Sequence, residues 1–388
     1  ITYAWYHDGE MVEGGTESSL RLAKVQVADS GSYNVLVQNE GGTAVSEMAE
    51  LIVLLPPEIT QLTESLTLIE GESVELRVTA TGSEPLTYQW SKDGEAIEGA
   101  TAPTLPLAKV APADAGDYTV SVSNAAGQAE SDVVTVKVIE PVRIVTQPEG
   151  ATAILGDTVM LQVVVEGTEP ITYFWYHDGE LVEGGTESTL RLAKVQVADS
   201  GSYNVLVQNQ GGTAISDLAE LVVLSPPEIT QLTESLTVID GESVELQVTA
   251  VGSEPLAYQW SRDGVVLPGA TGAELALTGL EPSDAGSYTV SISNFAGLLD
   301  SDAAVVNVIQ PIVIAEQPSG SFKVLGETVT VTVAVTGSEP ISYQWHVGGQ
   351  ALEGATKSSL RLVNVEAVNS GDYHVVVSNH AGTETSDT

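Results

Sequence analysis

Hydrophobic and polar residues alternate along most of the chain, and the same alternation returns every 85 residues. Within one period, residues 73–79 read Ser-Val-Glu-Leu-Arg-Val-Thr, which places the apolar side chains on one face. This two-residue period predicts a strand that is buried on one side. Residues 86–90 and 118–122 alternate in the same way, and no segment keeps a helical period for more than about one turn. The pattern therefore predicts an all-β fold made of short strands.

Turn-forming residues separate these strands. Asp93-Gly94 favours a tight hairpin, and residues 124–127, Asn-Ala-Ala-Gly, are typical of a second turn. Leu105 and Leu107 mark a further strand, and residues 133–138 close the period. The segments between turns amount to about seven strands per period, as in a two-sheet sandwich.

Aromatic residues mark the repeat without a single insertion or deletion. The five tryptophans of the chain are Trp5, Trp90, Trp175, Trp260 and Trp345. Tyrosines keep the same interval at Tyr33, Tyr118, Tyr203, Tyr288 and Tyr373. We expect both series to be core residues, since strand alternation turns them inward. The spacing predicts five domains: copy one, residues 1–55, without its first strands; copy two, 56–140; copy three, 141–225; copy four, 226–310; and copy five, 311–388, without its last strand.

A longer period of 170 residues overlies the first, because residues 1–55 nearly match 171–225 and residues 56–139 mirror 226–309. A pair of unlike copies was therefore duplicated as a unit. Either the two members serve different purposes, or they were copied together by an accident of recombination.

One stretch in each copy identifies the class of sandwich. Residues 114–118 read Asp-Ala-Gly-Asp-Tyr, and close variants stand at 29–33, 199–203, 284–288 and 369–373. Together with Trp90, this stretch resembles the core tryptophan and tyrosine corner of immunoglobulin-like domains of the I-set type. The resemblance implies a tandem array of immunoglobulin-like β-sandwiches, in which Asp114 caps the turn before the corner tyrosine.

The chain departs from that family in having no cysteine. Valines occupy the two positions of the family's disulfide, for example Val78 and Val120 in copy two. A disulfide that closes a loop of this length contributes roughly 4 kcal/mol, whereas buried valines contribute roughly 1.5–3 kcal/mol each. The exchange is therefore close to neutral. Cysteine-free copies of this kind resemble the tandem arrays of large bacterial cell-surface and secreted proteins.

Acidic residues dominate the charged positions, with 53 Asp and Glu against 13 Lys and Arg and a formal charge of −40. Nucleic acid and anionic membranes are therefore unfavourable partners. A hydrophobic content of 43% excludes a disordered acidic tail, and the sequence has no apolar run of membrane-spanning length and no Asn-x-Ser/Thr sequon. We expect an extracellular or cell-surface location, with weak cation screening of the acidic surface.

Proline recurs where one copy ends and the next begins, and no glycine- or serine-rich spacer lies there. These residues are Pro56, Pro141, Pro226 and Pro311. Proline restricts its own φ and pushes the preceding residue toward extended geometry. We therefore expect strand to run almost directly into strand, which predicts a stiff, slightly twisted rod.

An apolar patch is predicted on the outer face of one sheet in the odd-numbered copies. Residues beside each core tryptophan and core valine must point outward, because side chains alternate along a strand. In copy three these are Phe174, Tyr176 and Leu206, and in copy one Tyr6 and Leu36. Copies two and four have glutamine and serine there. The patch predicts a binding face that alternates with spacers, the alternative being scattered surface residues.

No metal site, cofactor or catalytic centre is predicted. Acidic pairs such as Glu70 and Glu72 lack the spacing of a calcium loop. The histidines share no helical or hairpin ligand spacing; they are His7, His177, His346, His374 and His380. The sequence has no Gly-x-Ser-x-Gly elbow and no phosphate-binding loop, so we expect no enzyme activity in this segment.

Three functions fit these observations. The favoured one is a structural extracellular stalk or fibre segment of a large repetitive surface protein, whose odd-numbered copies contact further copies or other surface proteins. The alternative is an adhesin or carbohydrate-binding region of a secreted protein, in which exposed aromatic residues bind a glycan. The third is a set of accessory domains of a secreted polysaccharide enzyme, with the catalytic domain elsewhere in a longer parent chain.

Overall fold

The computed structural model of the protein describes every residue from Ile1 to Thr388. Its regular elements are β-strands and five single-turn 3₁₀ helices, so the predicted all-β fold is confirmed. The 3₁₀ helices are Val27–Asp29, Pro112–Asp114, Val197–Asp199, Pro282–Asp284 and Ala367–Asn369. None of them approaches the length and hydropathy of a membrane-spanning helix.

Copies one and two show the strand order. Copy one contains β1 (Thr2–His7), β2 (Glu10–Met11), β3 (Gly31–Asn39), β4 (Gly42–Val45) and β5 (Ala49–Leu51). Copy two contains β6 (Glu58–Leu62), β7 (Leu66–Ile69), β8 (Val74–Thr81), β9 (Thr87–Lys92), β10 (Glu95–Ala96), β11 (Thr104–Leu107), β12 (Gly116–Asn124), β13 (Gly127–Glu130) and β14 (Val134–Ile139). Nine segments replace the seven strands predicted for copy two, because its first and last strands are each broken into two pieces.

Copies three to five follow the same plan. Copy three contains β15 (Arg143–Thr146), β16 (Ala151–Ile154), β17 (Thr158–Gln162), β18 (Val164–Glu166), β19 (Thr172–His177), β20 (Glu180–Leu181), β21 (Thr189–Ala193), β22 (Gly201–Asn209), β23 (Gly212–Ile215) and β24 (Ala219–Leu224). Copy four contains β25 (Glu228–Leu232), β26 (Leu236–Ile239), β27 (Val244–Val251), β28 (Ala257–Arg262), β29 (Val265–Val266), β30 (Glu274–Leu277), β31 (Gly286–Asn294), β32 (Gly297–Asp300) and β33 (Ala304–Ile309). Copy five contains β34 (Val313–Glu316), β35 (Val329–Thr332), β36 (Ala334–Thr336), β37 (Ser342–Val347), β38 (Gln350–Ala351), β39 (Ser359–Leu362), β40 (Tyr373–Asn379) and β41 (Gly382–Thr385).

The chain divides into two compact units, of which the first comprises Ile1–Glu149, Leu161–Leu190 and Tyr203–Ala219. In this unit copy one forms a single sheet in the order β2-β1-β3-β4, with β5 also paired to β3. Copy two forms two sheets, β10-β9-β12-β14-β7 with β13 on β12, and β11-β8-β6. From copy three the unit holds β20-β19-β22-β23 and the pair β15-β18.

The second unit comprises Gly150–Met160, Arg191–Ser202 and Glu220–Thr388. Copy four repeats the two sheets of copy two, as β26-β33-β31-β28-β29 with β32 on β31, and β25-β27-β30. Copy five holds β38-β37-β40-β41 and the pairs β34-β36 and β35-β39. The parallel pairing of β26 with β33 in copy four has its counterpart in β16 with β24, within this unit.

Each core is centred on a tryptophan that lies directly opposite a valine on the neighbouring strand. The facing pairs are Trp90 and Val120, Trp175 and Val205, Trp260 and Val290, and Trp345 and Val375. All eight side chains are 0% exposed. The valines at the other disulfide position of the family, Val78, Val163, Val248 and Val333, are also buried. Apolar side chains therefore fill the space that the family's disulfide occupies.

Two of the predicted core aromatics are less protected than the rest. Trp5 and Tyr373 are half-buried, whereas the other four tryptophans and the other four tyrosines are buried. Copy one has a single sheet, so no second sheet covers the indole of Trp5. In copy five, β40 lacks a partner corresponding to β14, which pairs with the start of β12 in copy two. Tyr373 still packs against the buried core of copy five, and Trp5 lies opposite Val35, so their role as core residues stays a prediction.

The predicted turns take the conformation that their residues favour. Asp93 and Gly94 connect β9 to β10 with φ of 52° and 85°, and two positive φ values in succession define the tightest hairpin turn. The corner hydroxyl of Tyr118 donates a hydrogen bond to the carbonyl oxygen of Asp114 at 2.8 Å. The Asp114 carboxylate accepts the N–H of Ala111 at 2.8 Å and so closes the start of its own 3₁₀ turn, Pro112–Asp114.

Candidate functional site

The outer face of one sheet in copy three carries a stripe of apolar side chains. Phe174 of β19 lies opposite Leu206 of β22, and Leu206 lies opposite Ile215 of β23. In the next row Tyr176 lies opposite Leu181 of β20. Phe174, Tyr176 and Leu206 are half-buried, whereas the edge residues Leu181 and Ile215 are 60% and 65% exposed. We call these five residues the copy-three face.

Copy one presents the same arrangement at the matching positions. Ala4 lies opposite Leu36, Leu36 lies opposite Val45, and Tyr6 lies opposite Met11. These five residues form the copy-one face. The structure thus brings together the residues predicted from sequence and adds one edge residue on each side. Val45 and Ile215 could have been predicted from the alternation of side chains along β4 and β23, which turns both residues toward the outer face.

Copy two has polar chemistry on this face. Gln89 lies opposite Ser121, which lies opposite the exposed Glu130. The Gln89 amide Nε2 donates to the carbonyl oxygen of Ile97 at 2.8 Å and to that of Trp90 at 2.9 Å. The side chain therefore ties its own hairpin together and offers little to a partner.

Copy four repeats this polar pattern, and copy five departs from the other odd-numbered copies. Gln259 in copy four donates to the carbonyl oxygen of Leu267 at 2.8 Å, and Asp300 takes the edge position. In copy five Gln344 donates to Leu352 at 2.7 Å and lies opposite Val376. The apolar outer face is therefore confined to copies one and three.

A set of hydrogen bonds recurs where each copy meets the next. The N–H of Leu55, the last residue of copy one, donates to Ser83 Oγ at 2.9 Å, and the N–H of Ser83 donates back to the Leu55 carbonyl oxygen at 3.1 Å. The side-chain amide of Asn124 donates to the carbonyl oxygens of both residues at 2.8 Å. Two loops of copy two thus hold the end of copy one. We call this arrangement the junction clamp.

The same clamp occurs at the other three junctions. Its members are Glu140, Thr168 and Asn209; Ser225, Ser253 and Asn294; and Gln310, Ser338 and Asn379. All three asparagine amides donate at 2.8–2.9 Å. The three carbonyl oxygens also accept the N–H of Thr168, Ser253 and Ser338 at 3.0–3.1 Å. Sequence reasoning missed this site, although the asparagine returns with the 85-residue period.

A glycine next to each clamp allows the backbones to approach closely. Gly82 has φ of +148°, and a Cβ atom added there would lie 3.1 Å from the Pro57 Cα and 3.2 Å from the Pro56 carbonyl oxygen. Gly167 is tighter, with 2.8 Å to the Val142 Cα. A side chain at Gly167 would force a shift of the backbone, and at both positions the positive φ disfavours any residue with a Cβ atom.

Glu72, His7 and His177 serve local structural roles. No group of three or more His, Cys, Asp or Glu is arranged to hold a metal ion. The Glu72 carboxylate accepts the N–H of Ile69 at 2.8 Å. His7 stacks on Tyr33 with ring centroids 4.5 Å apart, and its Nε2 lies 3.0 Å from the Ser30 carbonyl oxygen. His177 stacks on Tyr203 at 4.4 Å.

Five tyrosine hydroxyls have a pKa above the ordinary value for tyrosine. Burial is the main cause that raises the pKa of Tyr33, Tyr118, Tyr173, Tyr343 and Tyr373. Nearby carboxylates add to the shift, as Asp114 and Asp93 do for Tyr118. A tyrosine hydroxyl is already protonated at neutral pH, and a raised pKa extends to more alkaline pH the range in which it donates a hydrogen bond.

Comparison with known proteins identifies the family. The family described as "Immunoglobulin domain" matches residues 56–124, 141–209 and 226–294, and the "Immunoglobulin I-set domain" matches residues 313–388. More than half of the chain is covered, and the chain belongs to the immunoglobulin domain family.

The relatives are much longer than this chain. Hemicentin-2 of Mus musculus is 28% identical over 98% of this chain, and the basement membrane-specific heparan sulfate proteoglycan core protein of the same species is 29% identical over 95%. The chain spans only 8% and 11% of their lengths. The predicted extracellular or cell-surface location is confirmed, and the general role is that of an extracellular immunoglobulin-repeat segment.

Solved structures agree on the fold. The I-band fragment I67–I69 of titin aligns with a TM-score of 0.56 and 24% identity, covering 66% of this chain and 99% of that fragment. The tandem immunoglobulin-like arrangement is therefore established. The relatives named here are animal proteins, so they do not support the bacterial origin expected from the lack of cysteine. Neither of their names denotes an enzyme.

Proposed function

We propose that this segment is a stiff extracellular spacer, in which each immunoglobulin-like domain is fixed to the preceding one by the junction clamp. The recurrence of the clamp at four junctions is the observation that carries this function. Each clamp satisfies both the N–H and the carbonyl group of the junction residue. Its four hydrogen bonds are worth roughly 0.5–1.5 kcal/mol each, so together they oppose free rotation at the junction.

The proline that follows each junction residue supports the same function. Pro141 follows Glu140 directly, and only Glu140, Pro141 and Val142 separate β14 from β15. Such a junction has few backbone torsions left to vary, because proline fixes its own φ. A stalk or fibre segment needs this stiffness. The bacterial surface protein implied by the resemblance to cysteine-free arrays is not supported by the animal relatives.

The width of the distribution of distances between two domains measures the stiffness of their junction. The chain has no cysteine, so cysteines introduced at the exposed Glu95 and Glu180 are unique sites for spin labels in copies two and three. We expect a narrow distance distribution by double electron–electron resonance. Asn209→Asp should broaden it, because the substitution removes both amide donations while the shape of the side chain is kept.

Asn39→Asp is the matched control. Asn39 holds the corresponding place in copy one and accepts the N–H of Gly41 at 2.8 Å, as its counterparts do in their own turns, but its amide takes part in none of the four clamps. It should leave the distance distribution unchanged. An equally narrow distribution in the Asn209→Asp protein would refute the clamp as the source of stiffness.

Lateral contact is a second function, favoured by the copy-one and copy-three faces. None of their ten residues is charged, although the chain carries a formal charge of −40. Two chains can approach at these faces without burying like charges. Further copies of the chain or other surface proteins are the partners that this chemistry suits. A glycan-binding role would depend on Tyr6 and Tyr176 alone, since the other copies have serine or histidine at this position.

A further inference from the structure

Copy five has two histidines facing each other on the sheet face that is apolar in copies one and three. His346 of β37 lies directly opposite His374 of β40. Their rings are stacked, with centroids 5.0 Å apart and planes 12° from parallel. Helical or hairpin spacing in the sequence does not reveal this pair, because strand pairing joins residues that are distant along the chain.

The other four copies have no histidine at the positions of His346 and His374. The residue facing outward beside the core tryptophan is Tyr6, Ser91, Tyr176 or Ser261 in copies one to four, and its cross-strand neighbour is Asn34, Thr119, Asn204 or Thr289. Only copy five has histidine at either place, and it has histidine at both. The fold does not need imidazoles there, since four copies build the same strand pair without them.

The ring nitrogens of this pair are available to a ligand. Neither His346 nor His374 makes a hydrogen bond or ion pair with the protein, and both side chains are half-buried on the outer face. His7 differs, because its Nε2 already lies against the Ser30 carbonyl oxygen. The histidine pair therefore combines fixed spacing with free donor atoms.

The spacing suits one small metal ion. Zinc binds imidazole nitrogen at about 2.0–2.1 Å, so two nitrogens on one tetrahedral ion lie about 3.3 Å apart. Rings that stack at 5.0 Å reach this separation by rotation about χ2, which is a soft torsion for histidine. Imidazole prefers zinc, copper and nickel, whereas carboxylates and water suit magnesium and calcium.

We propose that His346 and His374 together bind one divalent ion of the zinc and copper class, on the outer face of copy five. Two imidazoles leave the remaining coordination positions to water or to a group from another molecule. The acidic surface concentrates cations near the chain but does not select among them. Selection comes from the two nitrogens.

Calorimetric titration of the full chain with zinc chloride tests the site, in excess magnesium chloride so that carboxylates are occupied. We expect one zinc site. His346→Ser and His374→Thr introduce the residues of copies two and four, which the fold accepts. Each should weaken zinc binding at least about tenfold, because a chelated ion then loses its second tethered ligand. His380→Ala, which removes an exposed histidine outside the pair, should leave binding unchanged.

A second experiment introduces the histidine pair into another copy, so that the test does not depend only on variants that lose zinc binding. Ser91→His with Thr119→His places the pair on the corresponding face of copy two and should raise the stoichiometry from one zinc ion to two. The proposal is overturned if the wild-type chain binds no zinc above the magnesium background, or if the His346→Ser, His374→Thr double variant binds as the wild type does. A transplanted chain that still binds a single ion would equally count against it.

Discussion

Copies two and three have the same inner face and opposite outer faces. On the inside, Trp90 and Trp175 face Val120 and Val205, and all four side chains are 0% exposed. On the outside, Gln89, Ser121 and Glu130 of copy two stand where copy three has Phe174, Leu206 and Ile215. One backbone thus supports a polar row and an apolar row at the same register.

The difference shows which constraints act on each face. An inner position must fill a fixed volume, because a protein interior is close-packed and tolerates few changes of size. An outer position must only keep the chain soluble, so it is free to acquire a partner. Copy two uses this freedom for an internal bond, from Gln89 to the Ile97 carbonyl oxygen. Copy three gives up that bond and gains exposed apolar area.

Truncation of the core tryptophans should have the largest effect, and the same effect in both copies. Trp90→Ala or Trp175→Ala should destabilise its own copy by about 3–5 kcal/mol. Gln89→Ala and Phe174→Ala, one residue away on the outer face, should change stability by less than about 1 kcal/mol. Hydrogen exchange read by mass spectrometry reports each copy separately. A large loss from an outer substitution would contradict the division between the faces.

The clamps should differ between the two copies, because Asn209 is buried and Asn124 is half-buried. The Asn209 Oδ1 also accepts the N–H of Val142 at 3.2 Å, beyond the junction proline. Asn209→Ala should therefore cost about 2–3 kcal/mol, and Asn124→Ala about 1 kcal/mol. Urea unfolding of the full chain, followed by hydrogen exchange and mass spectrometry, measures the loss of stability in each copy. Equal losses would mean that burial does not decide the strength of the clamp.

The sequence predicted which residues face the core, but it did not predict the contacts between residues that are far apart along the chain. Alternation placed Trp90 and Tyr118 inside because a two-residue period is a local property of one strand. The clamp was missed because Asn209 lies 69 residues from Glu140. The histidine pair of copy five was not predicted either, because His346 and His374 lie on different strands. Both follow once the copies are aligned and the register of one strand pair is known, since the repeat carries that register into every copy.

Exchanging the outer residues should alter association and leave stability intact. Phe174→Gln with Tyr176→Ser gives copy three the residues of copy two at these positions. Phe174, Tyr176 and Leu206 are already half-buried, so covering their remaining area supplies roughly 2–4 kcal/mol before the costs of association. A contact through this face should therefore weaken measurably. Analytical ultracentrifugation of both proteins over a range of concentrations measures the change.

The reciprocal exchange controls for the substitution itself. Gln89→Phe with Ser91→Tyr should give copy two a partial apolar face, yet Glu130 remains at its edge and disfavours close approach of a second acidic chain. Introduced into the Phe174→Gln, Tyr176→Ser protein, this exchange should therefore restore less association than the wild-type copy-three face provides. If wild type and the copy-three variant sediment equally at every concentration, with equal thermal stability, Phe174 and Tyr176 are scattered surface residues.

The smallest expected effect is a loss of stability at alkaline pH, which arises from the buried corner tyrosine Tyr118 of copy two. Burial, with Asp114 and Asp93, raises the pKa of Tyr118 above its ordinary value of 10.0. Because the folded pKa exceeds the unfolded one, this hydroxyl contributes stability that is fully present below about pH 10 and is lost as the pH rises through the folded pKa. Tyr118→Phe removes the bond to the Asp114 carbonyl oxygen and this ionisation together. Urea midpoints between pH 8 and pH 11 should therefore fall less steeply for the variant than for wild type, and parallel curves would assign the alkaline loss to other groups.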